Sequence, residues 1–114
     1  STLSAYSPTL TDVFGTYNGT SAIVQGVENA VVYITNNGAI SGRGTSGCTF
    51  SGNVTTQSGQ PYLKLSLVFG NSPCYMAGRA VNGIVYFDKT AKTIHAVAEN
   101  SGRDNAVLFL GTKQ

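Results

Sequence analysis

The side chains that could do acid–base or nucleophilic work are few. One histidine, His95, accompanies five carboxylates, Asp12, Glu28, Asp88, Glu99 and Asp104, in a chain of 114 residues. Catalysis needs such groups to converge, with a base within hydrogen-bond reach of the group it activates. A Ser, His and carboxylate triad can assemble from distant positions, but the strand-Gly-x-Ser-x-Gly-helix elbow that exposes a serine nucleophile is absent. A hydrolase using His95 beside a carboxylate in a cleft is therefore the remotest of three functional readings, and no catalytic residue is assigned. His95 follows Ile94 in an alternating run and reads as a partly exposed strand histidine, short of partners for metal ligation. Asp88 and Glu99 lie either side of the Thr93 arm, a pairing that could hold calcium, although turn solvation accounts for both. No metal and no cofactor is expected.

Phosphate chemistry finds no better footing. The densest glycine run, from Gly38 through Gly42 and Gly44 to Gly47, lacks a Gly-Lys-Ser/Thr ending and leads into a strand. Neither the lysine nor the helix N-terminus that cradles a phosphate is present, and the run reads as a barrel edge. Seven basic residues are scattered along the chain and leave a formal net charge of +2. That is too thin a cationic surface for a nucleic-acid backbone, so no nucleic-acid partner is expected.

Cys48 and Cys74 are the two cysteines, too few for a four-ligand zinc site and too far apart for a redox pair. They read as a disulfide, the alternative being two unconnected buried thiols. Closing such a loop contributes about 3.5 kcal/mol in the chain-entropy model. Charged residues are 11% of the chain, while Ser plus Thr number 24, Asn 9 and Gly 14. A surface of hydroxyls and amides with one cysteine pair fits an oxidising compartment. Asn18-Gly-Thr20 and Asn53-Val-Thr55 match the glycosylation pattern, which matters only for a eukaryotic source.

Aromatics give the stronger lead: six Tyr and five Phe, without Trp. Tyr33 and Tyr62 fall on the polar faces of their strands, with Lys64 beside Tyr62, where a phenol ring can meet a partner while its hydroxyl stays wet. Cross-strand packing on a solvated sheet face is the competing account.

The elements that must position these residues show period two. From Pro61 to Phe69, Leu63, Leu65, Leu67 and Phe69 face one way, with Tyr62, Lys64 and Ser66 opposite. Asn29–Thr35 and Gly47–Thr55 alternate similarly. Asn82–Asp88 and Asn105–Gly111 are apolar on both faces and are expected to be covered on both. After Asp88, Ala91, Ile94, Val97 and Ala98 match a helical stripe, but strand alternation through Ile94, Ala96 and Ala98 is preferred because it continues a hairpin. Turn formers recur at Asn36-Asn37-Gly38, Ser58-Gly59-Gln60, Asn71-Ser72-Pro73, Asp88-Lys89-Thr90 and Asn100-Ser101-Gly102. Glycines within the strands suit tight curvature. Ser7 followed by Pro8 suggests one or two helical turns before the first strand, able to plug a barrel end. The chain is therefore expected to be all-β, a small antiparallel up-and-down barrel of about seven or eight strands, with a sandwich as alternative. Residues 1–11 form an N-terminal segment with the short helix, and residues 12–114 a single barrel domain.

In order, the chain has a short helix, a Gly-x-Tyr-x-Gly strand, a meander, a cysteine on a middle strand and a closing Val-Leu-Phe-Leu-Gly strand. Its Phe14-Gly-Thr-Tyr17, Ile40-Ser-Gly42, Gly47-Cys-Thr-Phe50 and Val107-Leu-Phe-Leu-Gly111 segments give it an architecture that resembles the small antiparallel barrels of exported bacterial envelope proteins and lipoproteins. Calycin-type barrels are similar in plan, but the chain lacks the Gly-x-Trp of lipocalins and the Trp lining of avidins. The resemblance implies an exported protein of the periplasm, outer-membrane surface or exterior.

The leading functional expectation is a non-enzymatic exported protein that binds another macromolecule, a protein or other envelope or host component, through Tyr33, Tyr62 and loops. It is expected to be monomeric. No apolar run approaches the roughly 20 residues that cross a bilayer as a helix, so membrane contact is expected only through a lipidated segment lost from the N-terminal side. The second reading is a carrier holding a small apolar ligand inside the barrel beside Leu63, Leu65, Leu67 and Phe69.

Overall fold

A computed structural model of the chain describes residues 6–114. Alternation resolves into eight strands: β1 (Gly15–Ile23), β2 (Gly26–Ile34), β3 (Ala39–Gly44), β4 (Thr49–Thr56), β5 (Tyr62–Phe69), β6 (Ala80–Asp88), β7 (Thr93–Glu99) and β8 (Ala106–Lys113). Each pairs antiparallel with the next, and β8 returns to β1, closing a barrel. The sandwich alternative thus gives way to one closed sheet. The Gly38–Gly47 run is not an edge: β3 is hydrogen-bonded to β2 on one side and β4 on the other. Closure removes edges altogether. Gly47 and Cys48 belong to the turn before β4 rather than to the strand. Residues 93–99 are strand, with Ile94, Ala96 and Ala98 buried.

Inward positions build one core. Val32, Leu65, Val85 and Phe109 are among the side chains that meet inside it. A single sheet rolled on itself covers only its inner face, which is why the interior is apolar and the outside is left to solvent.

The helical turn lies later than expected. Helix α1 (Leu10–Val13) is capped by Thr9, and Pro8 precedes the cap. Thr9 Oγ1 accepts from the Asp12 N–H at 3.1 Å, while the Asp12 carboxylate accepts from the Thr9 N–H at 3.0 Å. Ser7 as cap would place Leu10 at the third helical position, with no side chain to return that bond. The turn therefore crosses residue 12 instead of lying within residues 1–11, and the expected N-terminal segment before Tyr6 lies outside the described residues.

Helix α1 plugs one barrel end. Val13 and Tyr17 are both fully buried, and the Tyr17 hydroxyl donates to the Val13 carbonyl at 2.8 Å. Lys113 Nζ donates to the Asp12 carbonyl at 2.7 Å. The Tyr6 hydroxyl also donates to the Asp12 carboxylate. Burial works to raise the Asp12 pKa, but the bonds from Tyr6 and Thr9, with Lys89 nearby, outweigh it and hold the carboxyl below its usual range. Its stabilising contribution is thus present above the unfolded carboxyl's pKa, about 4, and is lost as pH falls through the lower folded value. Asp12→Ala is expected to cost about 1–2 kcal/mol at pH 7. The gap from the unsubstituted chain should narrow at pH 3. Urea titrations at both pH values check this, and an unchanged gap would count against the role given to the carboxylate.

Candidate functional site

The barrel separates the sequence-predicted contact residues. Tyr33, exposed on β2, meets the Phe14 ring edge-on at 6.5 Å between centroids. Tyr62, half-buried at the start of β5, meets Tyr86 edge-on at 6.0 Å, and Lys64 is exposed opposite Ile84. Strands β3 and β4 intervene between Tyr33 and Tyr62, so the two tyrosines belong to different walls and cannot form one contact surface.

What the register does assemble is an apolar outer wall across β5–β8. Tyr62, Tyr86, His95 and Leu110 form one cross-strand row, and Ile84, Val97 and Leu108 the next. Tyr86, Val97, Leu108 and Leu110 are each between 42% and 46% exposed. Of these strands, β6 and β8 were expected to be covered on both faces, but their outer face is bare. The opposite wall, on β3 and β4, presents Ser41, Arg43, Ser51, Asn53 and Thr55. The β6–β8 side is therefore mostly hydrocarbon and phenol around His95, whereas β3 and β4 present hydroxyls, an amide and the Arg43 guanidinium; β2 adds exposed Val27, Val31 and Tyr33. The two-faced apolar composition of β6 and β8 was the available signal for this wall. It could not say whether anything covers the outside.

His95 sits on this convex wall with Tyr86 and Leu110 as cross-strand partners, not in a cleft. Among the described residues it makes no ion pair or side-chain hydrogen bond with a carboxylate. Asp88 and Glu99 lie at opposite ends of β7's pairing. Asp88 caps the Thr90 and Ala91 N–H groups at 3.0 Å, and Glu99 faces Arg103 at 3.3 Å. No group of three or more His, Cys, Asp or Glu that could hold a metal occurs among the described residues.

The end opposite α1 is a mouth, ringed by the β1–β2, β3–β4, β5–β6 and β7–β8 connections. The Cys48–Cys74 disulfide ties the second of these to the third, and Arg79 reaches Asp104 at 3.5 Å to tie the third to the fourth. Within the mouth lies a half-enclosed cavity of about 280 Å³, lined by Ile23, Phe50, Phe69, Tyr75 and Met76 among others. Deeper, between Val32, Leu65, Val85 and Phe109, the remaining void is about 40 Å³. That is little more than one water's share of liquid volume, about 30 Å³. The interior beside Leu65 and Leu67 is thus closely filled, while Phe69, the fourth residue of the carrier reading, also borders the mouth cavity. Phe50 and Phe69 line both spaces, their centroids 5.8 Å apart, and stand between them.

Glu28 is at the mouth's rim. Its carboxylate accepts from the Ser46 N–H at 2.6 Å, the Ser46 hydroxyl at 3.0 Å and the Thr45 hydroxyl at 3.3 Å. Gly44 makes this seat possible, since a Cβ there would fall 2.2 Å from Glu28 Oε2. Sequence reading gave Glu28 no role, because its partners lie 17 and 18 positions away and only strand pairing unites them.

The fold and these two surfaces define a small closed β-barrel with one plugged end, an open mouth at the other and an apolar outer wall over β6–β8. Comparisons with protein families, curated proteins and solved structures found no match.

Proposed function

We propose that this is a non-enzymatic exported protein that docks on a protein partner through the outer wall of β5–β8. The observation that carries this reading is the pair of adjacent outward rows, Tyr62, Tyr86, His95 and Leu110 across β5–β8 and Ile84, Val97 and Leu108 across β6–β8, in which Tyr86, Val97, Leu108 and Leu110 are exposed. Scattered surface apolar residues are ordinary, whereas a contiguous patch on neighbouring strands marks an interaction site. A sheet holds such side chains rigidly, so docking orders few of them, and tyrosines such as Tyr62 and Tyr86 supply large contact area with a wet hydroxyl. Lys64 lies at the wall's border, where a charge tunes encounter more than affinity. The disulfide and the hydroxyl- and amide-rich composition support export to an oxidising compartment, the bacterial envelope being the setting the architecture suggests.

A photo-crosslinking residue placed at Val97, and separately at Asn53 on the polar wall, tests this in cells that make the protein. Discrete adducts are expected from position 97 only, and Leu108→Asp should abolish them while leaving the melting temperature within a few degrees, because Leu108 is already exposed. An adduct of twice the chain's mass would identify the partner as a second copy and correct the expected monomer. Equal adducts from both positions, or none from position 97, would remove the docking role from this wall.

A further inference from the structure

The mouth holds space and charge that the outer-wall reading does not use. Its cavity of about 280 Å³ equals about nine water volumes at roughly 30 Å³ each. Phe50, Phe69, Ile23 and Met76 give it an apolar lining, and Glu28 is the one ionisable carboxylate or ammonium side chain on it. A carboxylate offers about four lone-pair sites. Three accept from Ser46 and Thr45, which fixes the group while leaving acceptor capacity for one more donor. Those donors are neutral. The three ion pairs among the described residues use Asp104, Asp12 and Glu99, so the Glu28 charge is not offset by a salt bridge. The carboxylate is held in place before any ligand arrives, and a cation meeting it costs little further ordering of the side chain.

We propose that the mouth binds a small cationic amphiphile, an alkylamine of about eight carbons whose chain lies on Phe50 and Phe69 and whose ammonium donates to Glu28. A carboxylate ligand would meet like charge, and an alcohol would gain only a neutral hydrogen bond.

Octylamine, octan-1-ol and octanoate, titrated at pH 7 into the oxidised protein by calorimetry and methyl NMR, provide the test. Octylamine should bind about two- to fivefold more tightly than octan-1-ol, the scale of a partly exposed ion pair, with octanoate weakest. Shifts should appear at Ile23 and Met76 and not at Leu63. Glu28→Gln keeps an acceptor for Ser46, so it should retain octan-1-ol binding and lose the preference for the amine. Equal affinities for all three probes, an amine preference that survives Glu28→Gln, or shifts confined to Leu108 on the outer wall would each overturn the proposal. The last outcome would leave the docking wall as the apolar binding surface.

Discussion

Gly52→Ala or Gly83→Ala is expected to lower the melting temperature by more than about 10 °C, or to prevent folding. Both glycines occupy inward positions where a side chain would be expected to join the core. A Cβ on Gly52 would fall 1.8 Å from the Ser66 carbonyl oxygen, and one on Gly83 the same 1.8 Å from that of Val97. The obstacle in each case is backbone of the next strand, which cannot rotate away as a side-chain tip can. Relief requires β4 to part from β5, or β6 from β7, by more than about 1 Å, on top of the usual overpacking cost of about 1–3 kcal/mol. Each ladder hydrogen bond lost adds about 1 kcal/mol. A total above about 3 kcal/mol is a large share of the stability of a domain this size. It corresponds to the predicted melting shift at roughly 4 °C per kcal/mol. Gly59→Ala is the control: it has φ +77° and nothing within 4 Å of the added carbon. It should cost only about 1 kcal/mol of backbone strain. A Gly52→Ala protein melting alongside the Gly59→Ala control would show that the barrel does not need this close approach.

These glycines also mark how far the fold was legible in the sequence. Strand β5 could be read in full because every inward residue, Leu63 to Phe69, is large and apolar. Strand β3 was obscured because Gly42 and Gly44 stand at inward positions, leaving Ile40 as its one buried apolar side chain. The core space over Gly42 is filled by the Phe50 ring, which a Cβ there would approach to 2.2 Å. That is a cross-strand fact no local period carries. Alternation assigned Tyr33 and Tyr62 correctly to the outside, yet it says nothing about angle around a barrel, which depends on strand order. The mouth was the least legible: Glu28 and Ser46 meet because β2 and β3 pair, and their separation in the chain leaves no motif. The start of α1 was misjudged for a local reason, since Pro8 is a good first helical residue but the reciprocal Thr9–Asp12 bonds fix the cap two residues beyond Ser7.

Breaking the Cys48–Cys74 bridge, by reduction or by replacing both residues with serine, is expected to cost about 3.5 kcal/mol. That corresponds to roughly 10–15 °C in melting temperature. Within the folded barrel the link has little left to organise: β4 and β5, which lie between the cysteines, already pair from Phe50 with Phe69 to Thr56 with Leu63. Its main effect in this account is on the unfolded chain, where closing a loop over a sequence separation of 26 removes conformations that would otherwise favour unfolding. The folded-state consequence is local, because Cys74 anchors the β5–β6 connection that brings Tyr75 and Met76 to the mouth. Reduced protein should therefore retain its β-sheet circular dichroism at 25 °C while amide exchange quickens first across residues 70–79. Two results would sink this account. Oxidised and reduced forms melting within about 2 °C would show that the crosslink contributes little, and two titratable thiols in native protein would show that it is not formed. The second would also remove the strongest support for export, since the composition alone fits that compartment without requiring it.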